Sequence, residues 1–132
     1  MKTTFDILDE IYPILNVSSV TGKIDGEVSR NNKKLNSELQ DIVILPLDNR
    51  RGQVIQPGIF IINCFCKKLD NGLHNETKLK EITDAVIAVL EAHNNTGNPY
   101  FYFKIFNQLL YNDNEQKNMS YVSIRINTTI QS

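Results

Sequence analysis

Residues Asn75–His93 read NETKLKEITDAVIAVLEAH, and this stretch decides the fold. Wound as a helix, it places Leu79, Ile82, Val86, Val89, Leu90 and His93 on one side, while Ala85, Ala88 and Ala92 let a neighbour approach closely. Lys78, Lys80, Glu81, Asp84 and Glu91 fall mostly on the other side. Asn75 or Thr77 is suited to cap the first turn, and Glu76 complements the helix dipole. Asn94, Asn95, Thr96, Gly97 and Pro99 then end the helix. The stretch is a core-facing stripe with no chemistry in it.

Working outward toward the N-terminus, Phe5, Leu8, Ile11, Tyr12 and Leu15 recur at helical spacing, predicting a first amphipathic helix over Thr4–Leu15 with Thr4 as cap. Pro13 is expected to terminate or kink it. Val20–Ile24 reads as a short strand, with Asp25-Gly26 a turn that folds Glu27–Ser29 back on it. Arg30–Glu38 is polar without periodicity and reads as an exposed loop. Asp41–Leu47 is apolar at nearly every position, as in a strand covered on both faces. After a turn at Asp48–Gly52 the chain returns as a longer strand, Val54–Lys67, with a bulge or edge distortion expected at Pro57-Gly58.

Toward the C-terminus, Phe101, Phe103, Ile105, Leu109 and Tyr111 alternate with Tyr102, Lys104, Phe106, Gln108 and Leu110. The final run alternates Val122, Ile124, Ile126, Thr128 and Ile130 with Tyr121, Ser123, Arg125, Asn127 and Thr129. With Asn112–Asn118 as the loop between them, these runs form a long antiparallel hairpin. The fold class is therefore α+β: a mostly antiparallel sheet with two amphipathic helices packed on it, in the order helix, strands, helix, long hairpin. At 132 residues the chain makes one domain, 1–132, with a core that needs neither disulfides nor metal.

Composition excludes several classes. Fourteen basic against 15 acidic residues, a formal charge of -1, argues against a dedicated nucleic-acid binder, whose affinity rests on neutralising phosphates. Met1–Asp6 lacks the apolar run of a signal peptide and no stretch is long enough to span a membrane, so the chain is expected to be soluble and made in the cytoplasm. On that expectation the Asn-x-Ser/Thr triplets at Asn16, Asn75, Asn94, Asn118 and Asn127 carry no weight. Cys64 and Cys66 share a strand face with Phe60 and Ile62 and read as small core residues. Only His74 and His93 could join them, neither at metal-ligand spacing. There is no phosphate loop and no nucleophile elbow, and carboxylate pairs such as Asp9-Glu10 and Asp113 with Glu115 sit in exposed segments.

The positive signal is surplus hydrophobicity. Asp41–Leu47, Ile59–Lys67 and Tyr100–Tyr111 each present apolar groups on both faces, more than two helices can cover, unless the first helix lies on the second face. Association with another subunit is expected.

Three segments carry a resemblance: Gly22-Lys23-Ile24, the run Leu35-Asn36-Ser37-Glu38-Leu39-Gln40-Asp41-Ile42-Val43-Ile44, and Gln56-Pro57-Gly58 before a long strand. With the order of elements, they resemble the tail terminator (tail completion) proteins of bacteriophages and prophages, most of all versions from phages of Bacteroidetes-type hosts. The Cys64-Phe65-Cys66 strand and the Asn-rich segments depart from that pattern. The resemblance implies a structural virion subunit, made in the host cytoplasm, that assembles as a homo-oligomeric ring, commonly six-fold, at the head-proximal end of the tail tube. It implies contacts with the tail tube protein and the head-side connector, DNA passing through the lumen without specific binding, no membrane, no small-molecule substrate, no cofactor and no enzymatic activity. On that basis Lys33, Lys34, Arg50 and Arg51 are expected to dock on neighbouring proteins, and Tyr102, Lys104, Tyr121 and Arg125 to lie at subunit contacts. The alternatives are another neck or head-closure ring protein, or a non-viral cytoplasmic binding module.

Overall fold

Thr3, rather than Thr4, starts the first helix. Its hydroxyl accepts the Asp6 amide at 3.2 Å, and the Asp6 carboxylate accepts the Thr3 amide at 2.8 Å, a reciprocal cap. In the computed structural model, which describes residues 3–49, 55–94 and 101–131, helix α1 runs Thr4–Leu15 and the one-turn helix α2 Ser18–Thr21. Strands β1 (Val28–Arg30), β2 (Ile42–Asn49) and β3 (Ile55–Lys67) follow, then α3 (Glu76–Asn94), β4 (Phe101–Asn112) and β5 (Met119–Gln131). The sheet order is β1-β2-β3-β5-β4, antiparallel except for β1 against β2. The chain is α+β, as its patterning predicts.

Both α1 and α3 pack on the same sheet face. Ile7, Leu8, Ile11 and Leu15 from α1 and Ile82, Val86 and Leu90 from α3 meet Ile42, Ile44, Phe60, Ile62, Cys64, Ile124 and Ile126 in one buried cluster. Each such side chain contributes about 1.5–3 kcal/mol by leaving water. The first helix therefore does not cover the second face. Thr83 joins the buried side of α3, a residue the apolar stripe leaves out, and Asn75 caps the helix by accepting the Lys78 amide at 3.2 Å.

Four sequence expectations change. The helix does not stop at Pro13 but continues to Leu15, whose burial outweighs the single amide that a proline in the last turn forfeits. Val20–Ile24 is not a strand: Val20 is buried on the α2 turn, where burial overrides the preference of a β-branched run. Asp25-Gly26 makes no hairpin, because the next segment is held elsewhere. Asp25 accepts the Gln40 amide at 2.6 Å, and buried Asp41 accepts the Glu27 amide at 3.1 Å, so β1 lies parallel to β2 with Val28 opposite Ile42. Finally, Pro57-Gly58 keeps regular pairing with Thr129 and Thr128; the irregularity lies across the hairpin, between Pro46 and Asp48.

Strand β4 also departs from simple alternation. Phe106 and Asn107 together oppose Arg125, a β-bulge that shifts the phase of the strand. Phe103 and Ile105 face the helices before it, and Gln108 and Leu110 after it, so Leu109 and Tyr111 lie on the opposite face from the one their spacing suggests.

Cys64 and Cys66 are free and buried, as read from the sequence. Burial pushes the Cys64 thiol up to about 12, and burial followed by the nearby Asp25 carboxylate raises Cys66. Iodoacetamide at pH 8 is therefore expected to leave both thiols unmodified in the native protein and to label both in denaturant; rapid native labelling would refute the buried placement. A methyl group at Gly26 would collide with the Asp41 carboxylate and stand 2.6 Å from the Gln40 carbonyl oxygen. Gly26→Ala is expected to lower stability by about 1–3 kcal/mol in urea melts, and an unchanged midpoint would show that this approach is not tight.

Candidate functional site

The sheet face opposite the helices is covered only in part. Over one end lies the connection between β1 and β2, drawn down by Lys33. Its ammonium donates to Gln116 Oε1 at 2.8 Å, lies 3.7 Å from the Asp113 carboxylate and sits 4.3 Å from the centre of the Phe65 ring. The side chain is 13% exposed. Beneath it Val43, Phe65 and Met119 form a second small core with Leu45 and Tyr121, and Tyr121 stacks between Phe65 at 5.0 Å and Tyr111 at 5.4 Å. Asn118 donates to Glu38 at 2.5 Å and ties the β4–β5 loop to the same connection.

Among the described residues the rest of the face carries no such cover. Tyr102, Lys104, Phe106 and Leu109 of β4 stand exposed, with Tyr102 at 51% and Phe106 at 59%. Beside them lie the half-buried Asn63 of β3 and Ser123, Arg125 and Asn127 of β5. The Arg125 guanidinium rests over the Phe106 ring at 5.3 Å. Asn63 Oδ1, Arg125 Nε and Asn127 Oδ1 are occluded from solvent and have no hydrogen-bond partner among the described residues. An unmet buried polar group costs about 1–3 kcal/mol, so a partner that reorients these side chains and completes their bonds is rewarded for it.

The edge of the sheet beside this face is blunted. Asn94, at the end of α3, donates to the Phe103 carbonyl at 2.7 Å and accepts the Phe103 amide at 2.9 Å, occupying backbone groups on β4 that an added strand would use. Lys104 and the bulge at Phe106 act in the same direction. Strand addition at this edge is thus disfavoured.

Of the residues singled out in the sequence, Tyr102, Lys104, Tyr121 and Arg125 come together on this one face. Lys33 does not point outward; it holds two loops of its own chain together. Lys34 is exposed, 3.5 Å from Glu27, and Arg50 and Arg51 lie outside the described residues. Sequence reading missed Asn63 and Asn127 as unsatisfied groups and Phe106 as the ring under Arg125; a bulge leaves no periodic trace. Among the described residues no three His, Cys, Asp or Glu side chains are grouped to hold a metal ion, and no helix is long and apolar enough to cross a membrane. The contact of His74 Nδ1 with Ser120 Oγ at 2.6 Å has its hydroxyl fully buried.

Removing the Lys33 ammonium leaves Asp113 and Gln116 without their shared partner. Lys33→Ala is expected to cost about 1–3 kcal/mol and to speed amide exchange in residues 31–36 and 113–116; unchanged exchange would mean that the two loops are held by other contacts.

No protein-family model matches the sequence, and no curated protein matches it. Among solved structures, a crystal structure from Akkermansia muciniphila superposes with a TM-score of 0.39 at 13% identity, over 72% of this chain and 44% of that one. This chain thus spans less than half the length of that protein. A chain of the virion of a native gene transfer agent particle superposes with a TM-score of 0.50 at 9% identity, over 92% of each chain, and the likeness is one of fold.

Proposed function

We propose that this chain is a structural subunit of a phage-like virion, and specifically a tail terminator that forms a ring at the head-proximal end of the tail tube. The observation that carries the reading is the open sheet face, where Tyr102, Lys104, Phe106 and Arg125 surround polar atoms with no partner among the described residues. Such a face suits contact with another protein surface. The fold shared with a gene transfer agent virion chain supports the broader assignment, and the resemblance around Leu35–Ile44 and Gln56–Gly58 supports the narrower one.

In this reading the protein stops growth of the tail tube by capping it and offers its other end to the head-side connector. The ring is six-fold, as in the family it resembles, and DNA crosses its lumen unbound, which the near-neutral formal charge of -1 suits. No catalytic step and no cofactor is assigned to it.

Deleting the gene from the element that encodes it, beside a complemented control, tests this by electron microscopy of the particles released. Filled heads without tails, together with unattached or overlong tails, are expected. Emptied heads with normal-length tails would move the protein to head closure, and normal infectious particles would overturn a structural role in the virion.

A further inference from the structure

The connection between β1 and β2 carries a leucine that its own chain does not cover. Leu35 is 91% exposed, yet the loop around it is well tied. The Ser37 amide donates to the Lys34 carbonyl at 3.1 Å, closing a turn over Leu35 and Asn36, and Asn36 adopts a left-handed φ of 58°. Lys33 anchors the near side, and the Ser37 hydroxyl donates to Asp41 at 2.6 Å on the far side. A large apolar side chain held out on an ordered turn has the form of a contact residue.

Beyond the sheet, on its helix side, the start of α3 and the end of β4 enclose a notch of about 390 Å³. Leu79, Thr83, Leu110 and Val122 line it. Thr83 is 6% exposed and its hydroxyl has no hydrogen-bond partner among the described residues. Glu76 stands exposed on the rim and makes no ion pair among the described residues, whereas the neighbouring Lys80 and Asp84 pair with each other at 2.5 Å. The sheet separates loop from notch, so Leu35 cannot fill the notch of its own chain.

We propose that Leu35 of one copy seats in the α3–β4 notch of a second copy, with Lys34 of the first pairing with Glu76 of the second. Charge complementarity selects this occupant: the exposed Lys34 precedes the leucine, its present partner Glu27 is also exposed, and Glu76, with no ion pair among the described residues, borders the notch. Polar groups flanking Leu35 then give the Thr83 hydroxyl the partner it lacks among the described residues. Two different surfaces meet, so the contact is head-to-tail and propagates into a ring where the rotation closes. The inference rests on the ring reading above and supplies its subunit contact.

The test mixes two purified variants of the full chain, Leu35→Cys and Leu110→Cys, with a short bismaleimide, beside wild type; the buried native thiols serve as the unreactive background. Covalent dimers are expected in the mixture and absent from either variant alone. Light scattering should show Lys34→Glu weakening assembly about tenfold and the combination with Glu76→Lys restoring it. Wild-type rings without the mixed cross-link would overturn this contact and leave the ring reading standing. Cross-linked open chains in place of closed rings would keep the contact and sink the ring. A wild type that stays monomeric and never cross-links would remove both.

Discussion

The Asp41 carboxylate is the tie on which the rest of this structure depends. It is 4% exposed and accepts both the Glu27 amide and the Ser37 hydroxyl, while the Asp41 carbonyl accepts the Phe65 amide at 2.8 Å. One residue thereby joins the start of β1, the long connection, β2 and β3. A carboxylate so placed would be costly without donors, and with them it adds a polar tie between strands whose apolar side chains Val28, Ile42 and Cys64 already share one core. The parallel pairing of β1 follows from it, and so does the path of residues 31–40 across the sheet. Gly26 is required where the chain passes closest to it.

That path makes the molecule two-sided. Helices α1 and α3 seal one face with aliphatic side chains, and the connection seals part of the other through Lys33 over Phe65. What remains open is the outer half of β4 and β5, bordered by an edge that Asn94 occupies. Strand pairing at this edge is opposed while the face beside it stays open. At the β4 edge this separation opposes the route that would lead to open-ended sheets.

Much of this was legible in the sequence where one period dominated. The 3.6-residue spacing of Leu79, Ile82, Val86 and Leu90 and the alternation of Val122, Ile124, Ile126 and Thr128 placed α3 and β5, and Cys64 and Cys66 fell on the core face they were read onto. Reading failed where tertiary partners decide local form. Val20 is β-branched but turns because the core receives it there, and Lys33 looks solvated until Asp113 and Gln116, far along the chain, are brought beside it. Surplus hydrophobicity on the second face was visible, and it sits on β4 as Tyr102, Phe106 and Leu109. Which of its polar residues lack partners was not visible, because hydrogen-bond satisfaction belongs to cross-strand register and not to any run of residues.

The bulge at Phe106 has an evolutionary consequence. With Ile105 opposite Ile126 and Asn107 opposite Arg125, the pairing on either side of Phe106 is what an uninterrupted ladder would have. Phe106 is thus an insertion that the sheet tolerates, and ancestral or divergent chains one residue shorter here would retain the orientation of every other side chain in β4. What they would lack is the ring beneath Arg125. The strand can gain or lose that aromatic group in a single codon event without re-registering the fold, which leaves the open face free to diversify while the core stays fixed.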